Sequence, residues 1–321
     1  MSVKSCRAVS VEKAEMDSLG FIGDRRLMLV EPAPTPLCGY FEPNQATHRF
    51  VSQRQYPALA TINVSLPSLS NNNNSAQKMI QLSTDDNDSR VVRIDVSSSV
   101  LLQKERQRYR STLWDDVVDV VDVGDEASHF IQSILKQNSV RLVSMIPQTT
   151  KRPLDNRYVP KSALTWTGDL PDGSLTDGFP LLLATTASLD ELNARLTKKG
   201  KQTLPMSRFR PNIVLTPILK EHADNNNQPF DEDYWRTISV GDNNTILHVV
   251  KACPRCKQST IDQVTGDASD TEPLETLKEF HAYKDDVFFG QNIVLGNSSN
   301  KTIQVGDTVK VLSRGSPIWG C

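Results

Sequence analysis

The sequence predicts an α+β protein of mixed, β-rich character. An N-terminal β-barrel-like domain is expected over residues 1–140, and a C-terminal β-barrel domain with short helices over residues 141–321. Three observations carry this. Short apolar or alternating runs bounded by turn residues recur early in the chain, at Arg26 to Glu31, Phe50 to Ser52 and Ala58 to Val64. Two segments have helical periodicity. From Asn212 onward strands dominate again, at Ile213 to Leu215, Thr245 to Lys251, Ile293 to Leu295 and Val305 to Leu312, which fits a barrel-like half.

In chain order, the Ser/Asn-rich tract 67–77 with Asn71 to Asn74 is too polar to bury itself and reads as an insert. A second polar insert is expected from His222 to Gln228. The segment Asp125 to Leu135 carries Ala127, Phe130, Ile131, Ile134 and Leu135 on one helical face, with acidic residues in its first turn. A second helix is expected from Ser188 to Lys198, with Ser188 and Glu191 spaced as a capping box and an N-terminus able to face a ligand. Trp114, Trp235 and Phe280 read as packing residues beside turns. Glu232 and Asp233 are expected to cap a following element, and Gly241 and Gly306 to form turns before strands.

A chain of 321 residues with 38% hydrophobic content can bury a sizeable core. Thirty-six basic residues nearly balance thirty-eight acidic ones, so no global field would hold nucleic acid or an anionic membrane, and any anionic ligand must be held locally. Apolar stretches such as Phe179 to Ala184 fall far short of the roughly twenty residues needed to cross a bilayer. Five cysteines make no disulfide framework and point to a reducing compartment. Met1 to Val11 carries no readable targeting pattern.

The chemistry concentrates at Lys251-Ala252-Cys253-Pro254-Arg255-Cys256. A cation beside a thiol favours the thiolate, and a thiolate suits a soft metal. Taken alone, the Cys-x-x-Cys spacing also fits half of a zinc site or a redox pair, though no second cysteine pair or histidine cluster completes a zinc tetrahedron. Upstream, Arg208-Phe209-Arg210-Pro211-Asn212 offers two guanidiniums and an amide, suited to phosphate or a polar heterocycle, or simply solvated at a strand entry. Lys4-Ser5 and Asp24-Arg25 add anion contacts if the fold gathers them. The histidines His48, His129, His222, His248 and His281 are scattered and read as surface or satisfied residues.

The ordered set Lys4-Ser5-Cys6, Gly23-Asp24-Arg25, Gln53-Arg54 to Pro57, Trp114, Gly124-Asp125, Asp177 to Pro180, Ser188-Leu189, Arg208 to Asn212, Glu232 to Trp235, Cys253 to Cys256, Glu272 to Leu274 and Phe289 to Asn292 resembles the MOSC family with its N-terminal β-barrel companion, almost end to end. Within it the amidoxime-reducing branch is the most similar. The resemblance implies the molybdenum cofactor (Mo-molybdopterin), with Cys256 as the metal ligand, Arg255 and Pro254 beside it, and Asp177 at the site. Lys4, Ser5 and Arg25 would lie around the cofactor phosphate, and Arg210 and Asn212 would hold the cofactor from the C-terminal domain. Catalysis is thereby assigned to Cys256, Arg255 and Asp177. Cys253 competes for the metal; Cys256 is preferred because it directly follows an arginine. Pyridoxal phosphate binding attaches to the family as a whole and to no residue here.

The activity so implied is oxidoreduction of amidoximes and hydroxylamines. Electrons would come from a b-type cytochrome and an NADH-dependent reductase, since neither an iron–sulfur quartet nor a dinucleotide fingerprint is found. The alternative is a cofactor-binding or sulfur-carrier module without reductase activity, and a third reading is a scaffold that has lost its cofactor. Two departures stand out. Gly178 replaces a residue with a hydrogen-bonding side chain, and Met1-Ser2-Val3 stands where the family has an apolar strand, so Lys4 and Ser5 are expected at a fraying terminus. Membrane contact would come only through such a preceding segment, and the family location is cytoplasmic or on the cytosolic face of the mitochondrial outer membrane.

Overall fold

In the computed structural model, residues 2–34, 46–65, 79–85, 90–146, 149–150, 152–164, 170–218, 228–296 and 302–319 are described. The Asn/Ser tract 67–77, most of the second polar insert, Cys38, His222 and Cys321 lie outside them.

Five strands close the N-terminal barrel, in the order Arg141–Met145, Leu27–Pro32, His48–Val51, Arg108–Leu113 and Asp116–Asp122. All pairs are antiparallel except His48–Val51 with Arg108–Leu113. Its closing strand lies just beyond residue 140, the expected division between domains. Alternation along a strand explains how one run of apolar residues serves two cores: Leu27 and Leu29 enter the cluster that includes Val51, Phe130 and Ile131, while Met28 and Val30 enter another with Leu113, Val118 and Val120. The helix Asp125–Leu135 has the expected bounds and covers the first cluster with Ala127, Phe130, Ile131 and Leu135. The expected strand at Ala58 to Val64 is corrected: Pro57–Thr61 is a 3-10 turn and only Asn63–Ser65 is extended, because proline presets a helical φ at the first position of that turn.

The C-terminal half is an open seven-stranded sheet, curled as a half-barrel. Its main path runs Ile213–Leu215, Leu181–Thr185, Asp286–Leu295, Thr245–Pro254, Trp235–Val240 and Val309–Arg314, and Ala282–Tyr283 pairs with Asp286–Leu295. Trp235, Leu183, Ile238, Leu247 and Ile293 fill its concave core. The expected strand from Val305 to Leu312 begins only at Val309: a turn at Gly306, whose φ of 91° needs glycine, separates Thr302–Gln304 from Val309–Arg314. The first of these pairs with Lys13–Asp17, which ties the two ends of the chain together.

The second helix runs Thr186–Lys198, and its cap differs from expectation. Thr185 is the N-cap, accepting from the Ser188 amide at 3.2 Å, while Glu191 pairs with Arg195 instead of reaching back. At its N-terminus stands a carboxylate of the chain itself. The buried Glu232 carboxylate sits there, accepting from Ser188 Oγ at 2.7 Å and from Thr185 Oγ1 at 3.2 Å. Asp233, beside it, accepts from Gln291 at 2.6 Å and lies 2.8 Å from His281 Nε2, so this histidine is a satisfied core residue as expected. No described helix is long and apolar enough to cross a membrane.

Candidate active site

The N-terminal residues do not fray. Val3 bridges to Leu27, the Lys4 amide donates to the Leu27 carbonyl at 2.8 Å, and the Ser2 amide to the Gly23 carbonyl at 2.8 Å. Lys4, Ser5 and Cys6 are consequently buried. The expectation of a loose terminus is corrected by this docking along the strand Leu27–Pro32. In its apolar setting the Cys6 thiol is pushed up to about 12, which keeps it a neutral packing residue.

From Lys4 a chain of contacts leads to Cys256. The Lys4 ammonium meets Asp177 Oδ1 at 2.6 Å, and the same oxygen accepts from Trp114 Nε1 at 3.1 Å. The Arg54 guanidinium lies 4.5 Å from the centre of the Trp114 ring and reaches Cys256 Sγ through Nη2 at 2.9 Å and Nε at 3.3 Å. Cys256 is exposed. Asp177 keeps 62% of its side-chain surface open. Crowding by protein would raise its carboxyl, but Lys4, then Arg25 and Arg54, hold it well below the usual carboxylate range.

A second group joins the first through Arg25. Its guanidinium donates to Asn212 Oδ1 at 3.4 Å and to the Arg210 carbonyl at 3.3 Å, and Asn212 Nδ2 donates to Asp24 at 2.8 Å. Asn212 Oδ1 also accepts from the Leu182 amide at 3.0 Å, so this side chain fastens the cradle to the C-terminal sheet. Arg210 donates to Gln263 Oε1 and to the Cys6 carbonyl, each at 2.8 Å. A cleft of about 1490 Å³, bounded by the strands Ile213–Leu215 and Val309–Arg314, borders Asp24, Arg25, Arg210 and Asn212; Cys256 does not line it. Gly178 has open space where a Cβ would stand.

Three corrections follow. Arg255 does not touch Cys256: it donates to Cys253 Sγ at 3.0 Å and to the Phe209 carbonyl, with Phe209 beneath it at 5.2 Å. The reason is local. Thr245–Pro254 is a strand and Cys256 remains extended (φ −127°, ψ 178°), so residues two apart share a side while neighbours diverge. Trp114 is not a packing residue but 44% exposed at the site. The cation on the exposed thiol is Arg54, a residue to which sequence reasoning gave no role. Gln53 and Gln263 were missed as well. Both are buried, exchange amide hydrogen bonds at 3.0 and 2.9 Å, and lock the Ser5 carbonyl (2.7 Å from Gln53) and Arg210 to the loop after Cys256. Only the Gln53-Arg54 pair within the ordered set signalled them.

Backbone strain gathers here too. Ser5, Arg25, Trp114 and Arg210 all have positive φ, between 46° and 72°, a region costly for side chains of this size and held only where surroundings dictate it. Among the described residues no three His, Cys, Asp or Glu side chains group to hold a metal by themselves, so a metal at Cys256 would take its other ligands from a bound group.

Residues 2–138 match the MOSC N-terminal beta barrel domain and residues 171–310 the MOSC domain. The chain belongs to the MOSC-domain family. Similar proteins include mitochondrial amidoxime-reducing component 1 of mouse, 35% identical over 60% of this chain and 52% of the relative. The human protein of that name is 35% identical over 60% and 53%. A molybdenum cofactor sulfurase of Aspergillus terreus is 25% identical over 96% of this chain and 39% of its own length. The chain thus spans about half the length of the amidoxime-reducing components it matches.

Lys4 supplies a pH test of this MOSC site. Burial, opposed by Asp177, lowers its ammonium to about 8 from 10.5. The folded state therefore binds fewer protons than the unfolded chain between about pH 8 and 10.5, and stability from this group rises with pH across that window. An anion placed against Lys4 reverses the preference by favouring the charged amine. Binding of inorganic pyrophosphate is expected to take up a proton and to weaken as pH rises above about 8, measured by calorimetry in buffers of differing ionisation heat. Lys4→Arg, which stays protonated, is expected to flatten that dependence; a wild-type affinity independent of pH would remove Lys4 from the anion site.

Proposed function

We propose that this chain binds the molybdenum cofactor and reduces N-hydroxylated compounds such as amidoximes and hydroxylamines. The observation that carries the reading is an exposed thiol held by Arg54 and joined through Trp114, Asp177 and Lys4 to a cluster of cations, in a MOSC protein whose relatives include amidoxime-reducing components. The donor set fits the group. Cys256 is a soft, accessible ligand, and Lys4, Arg25, Arg54 and Arg210 outnumber the carboxylates Asp24 and Asp177, which suits an anionic, phosphate-bearing partner.

When bound, the cofactor would supply the two-electron centre that takes up the oxygen of an N-hydroxyl group. Cys256 would be its protein ligand and Arg54 would donate hydrogen bonds to that sulfur. Lys4, Ser5 and Arg25 would hold the phosphate, with Arg210 and Asn212 fixing the cradle. Asp177 would accept hydrogen bonds from an N–H of the substrate. Arg255 would act indirectly, anchoring the strand end through Phe209. We assign the supply of electrons to a b-type cytochrome and an NADH-dependent reductase.

A second reading, a cofactor-binding or sulfur-carrier module, is favoured by the sulfurase match, which runs along 96% of this chain. Molybdenum and pterin analysis of protein from a cofactor-competent host, followed by benzamidoxime turnover with reduced methyl viologen as electron source, separates the two. Near-stoichiometric metal with amidine formation supports the reductase. Metal without turnover favours the carrier, and absence of both metal and pterin overturns each.

A further inference from the structure

The hairpin formed by Arg108–Leu113 and Asp116–Asp122 ends in a two-residue turn, since Leu113 faces Asp116 across it, and the first turn residue is Trp114 with φ 60°. Asn or Gly is the residue for that position; a bulky aromatic there strains the backbone. Core packing does not explain the choice, because the side chain is 44% exposed. Its environment is built all the same. The indole N–H is fixed on Asp177 Oδ1, Phe50 lies 5.2 Å away at 53°, and Arg54 lies over the ring at 4.5 Å. A residue that breaks the local rule, is held in one pose and still presents surface beside the exposed thiol calls for a contact outside the chain.

Asp177 defines what that contact looks like. Lys4 and Trp114 both use Oδ1, which leaves Oδ2 without a hydrogen bond among the described residues. A flat, conjugated head lying on the indole would turn its in-plane N–H groups toward that oxygen. Lys4, Arg25 and Arg54 around the carboxylate disfavour a full cation, so the head should be uncharged. We infer that Trp114 is a specificity-determining residue, a stacking platform that with Asp177 Oδ2 selects planar, neutral N-hydroxy compounds over non-planar aliphatic ones. This rests on the reductase reading and names its substrate class.

The test compares benzamidoxime with N-hydroxypiperidine, using the full chain carrying its cofactor. Trp114→Asn removes the ring yet suits the turn, so folding is preserved, and Trp114→Phe keeps an aromatic face. KM for benzamidoxime is expected to rise about three- to tenfold in Trp114→Asn, with recovery in Trp114→Phe, while KM for N-hydroxypiperidine changes less than about twofold. Benzamidoxime titrated without an electron donor is expected to quench indole emission in wild type and far less in the Asn variant. Equal effects on both substrates, or unchanged quenching, would overturn the platform. A wild-type chain that reduces neither compound while benzamidoxime still quenches Trp114 would count against the reductase reading alone.

Discussion

Cys256→Ser is expected to lower benzamidoxime reduction at least about a hundredfold and to alter the metal spectrum, because a hydroxyl is a harder and far less ionised ligand than a thiolate. The neighbouring residues make the result specific. Arg54 is the guanidinium on that sulfur, so Arg54→Gln should cost about ten- to a hundredfold, the scale of losing an outer partner of a metal ligand. Arg255→Gln should cost less, since Arg255 contacts Cys253 and the Phe209 carbonyl. Cys253→Ser should leave the metal in place. The ranking Cys256, then Arg54, then Arg255 is read from turnover and metal content together. A larger loss from Cys253→Ser than from Cys256→Ser would move the ligand assignment to Cys253.

Arg152→Ala is expected to be the most destabilising single change at the site. Arg152 is 5% exposed and donates to the carbonyls of Ser174 and Thr176 at 3.1 and 2.7 Å, to that of Asp177, and to the Asp116 carboxylate at 2.6 Å. Truncation strands several carbonyls and breaks an ion pair whose guanidinium is buried, which together cost roughly 3–5 kcal/mol. Asp116→Ala should cost less, because that carboxylate is 45% exposed and Arg152 keeps its carbonyl partners. Urea unfolding of both variants checks the ratio; equal losses would show that the ion pair, not the carbonyl clamp, matters. The same clamp sets the course of residues 174–177, so Arg152→Ala should also displace Asp177 and shift Trp114 emission.

Much of this was legible in the chain itself. Periodicity located the helix at Asp125–Leu135, the strand at Ile213–Leu215 and parts of several other strands, because burial on one face repeats every two or 3.6 residues, but it did not pick out Arg108–Leu113, Asp116–Asp122 and Arg141–Met145 of the barrel. The ordered motifs carried the family and marked Lys4, Arg25, Asp177, Arg210, Asn212 and Cys256 as candidates. What failed were inferences from adjacency. Arg255 was matched with Cys256 because they are neighbours, yet extended backbone turns neighbours to opposite sides. Ser188 and Glu191 were read as a capping box, yet Glu232, forty-four residues away, took the helix N-terminus.

The sequence by itself determined the two longer helices, several of the strands, the family they compose and the thiol that is the candidate ligand, since these depend on local pattern and order. Only the tertiary structure decided who meets whom. It brought Arg54 to Cys256 across 202 residues, placed Trp114 and Lys4 on one oxygen of Asp177, and buried a terminus that sequence would leave loose. Such contacts join side chains on turns and loops that the barrel and the open sheet bring together, and their partners are fixed by how the strands pair rather than by any spacing along the chain.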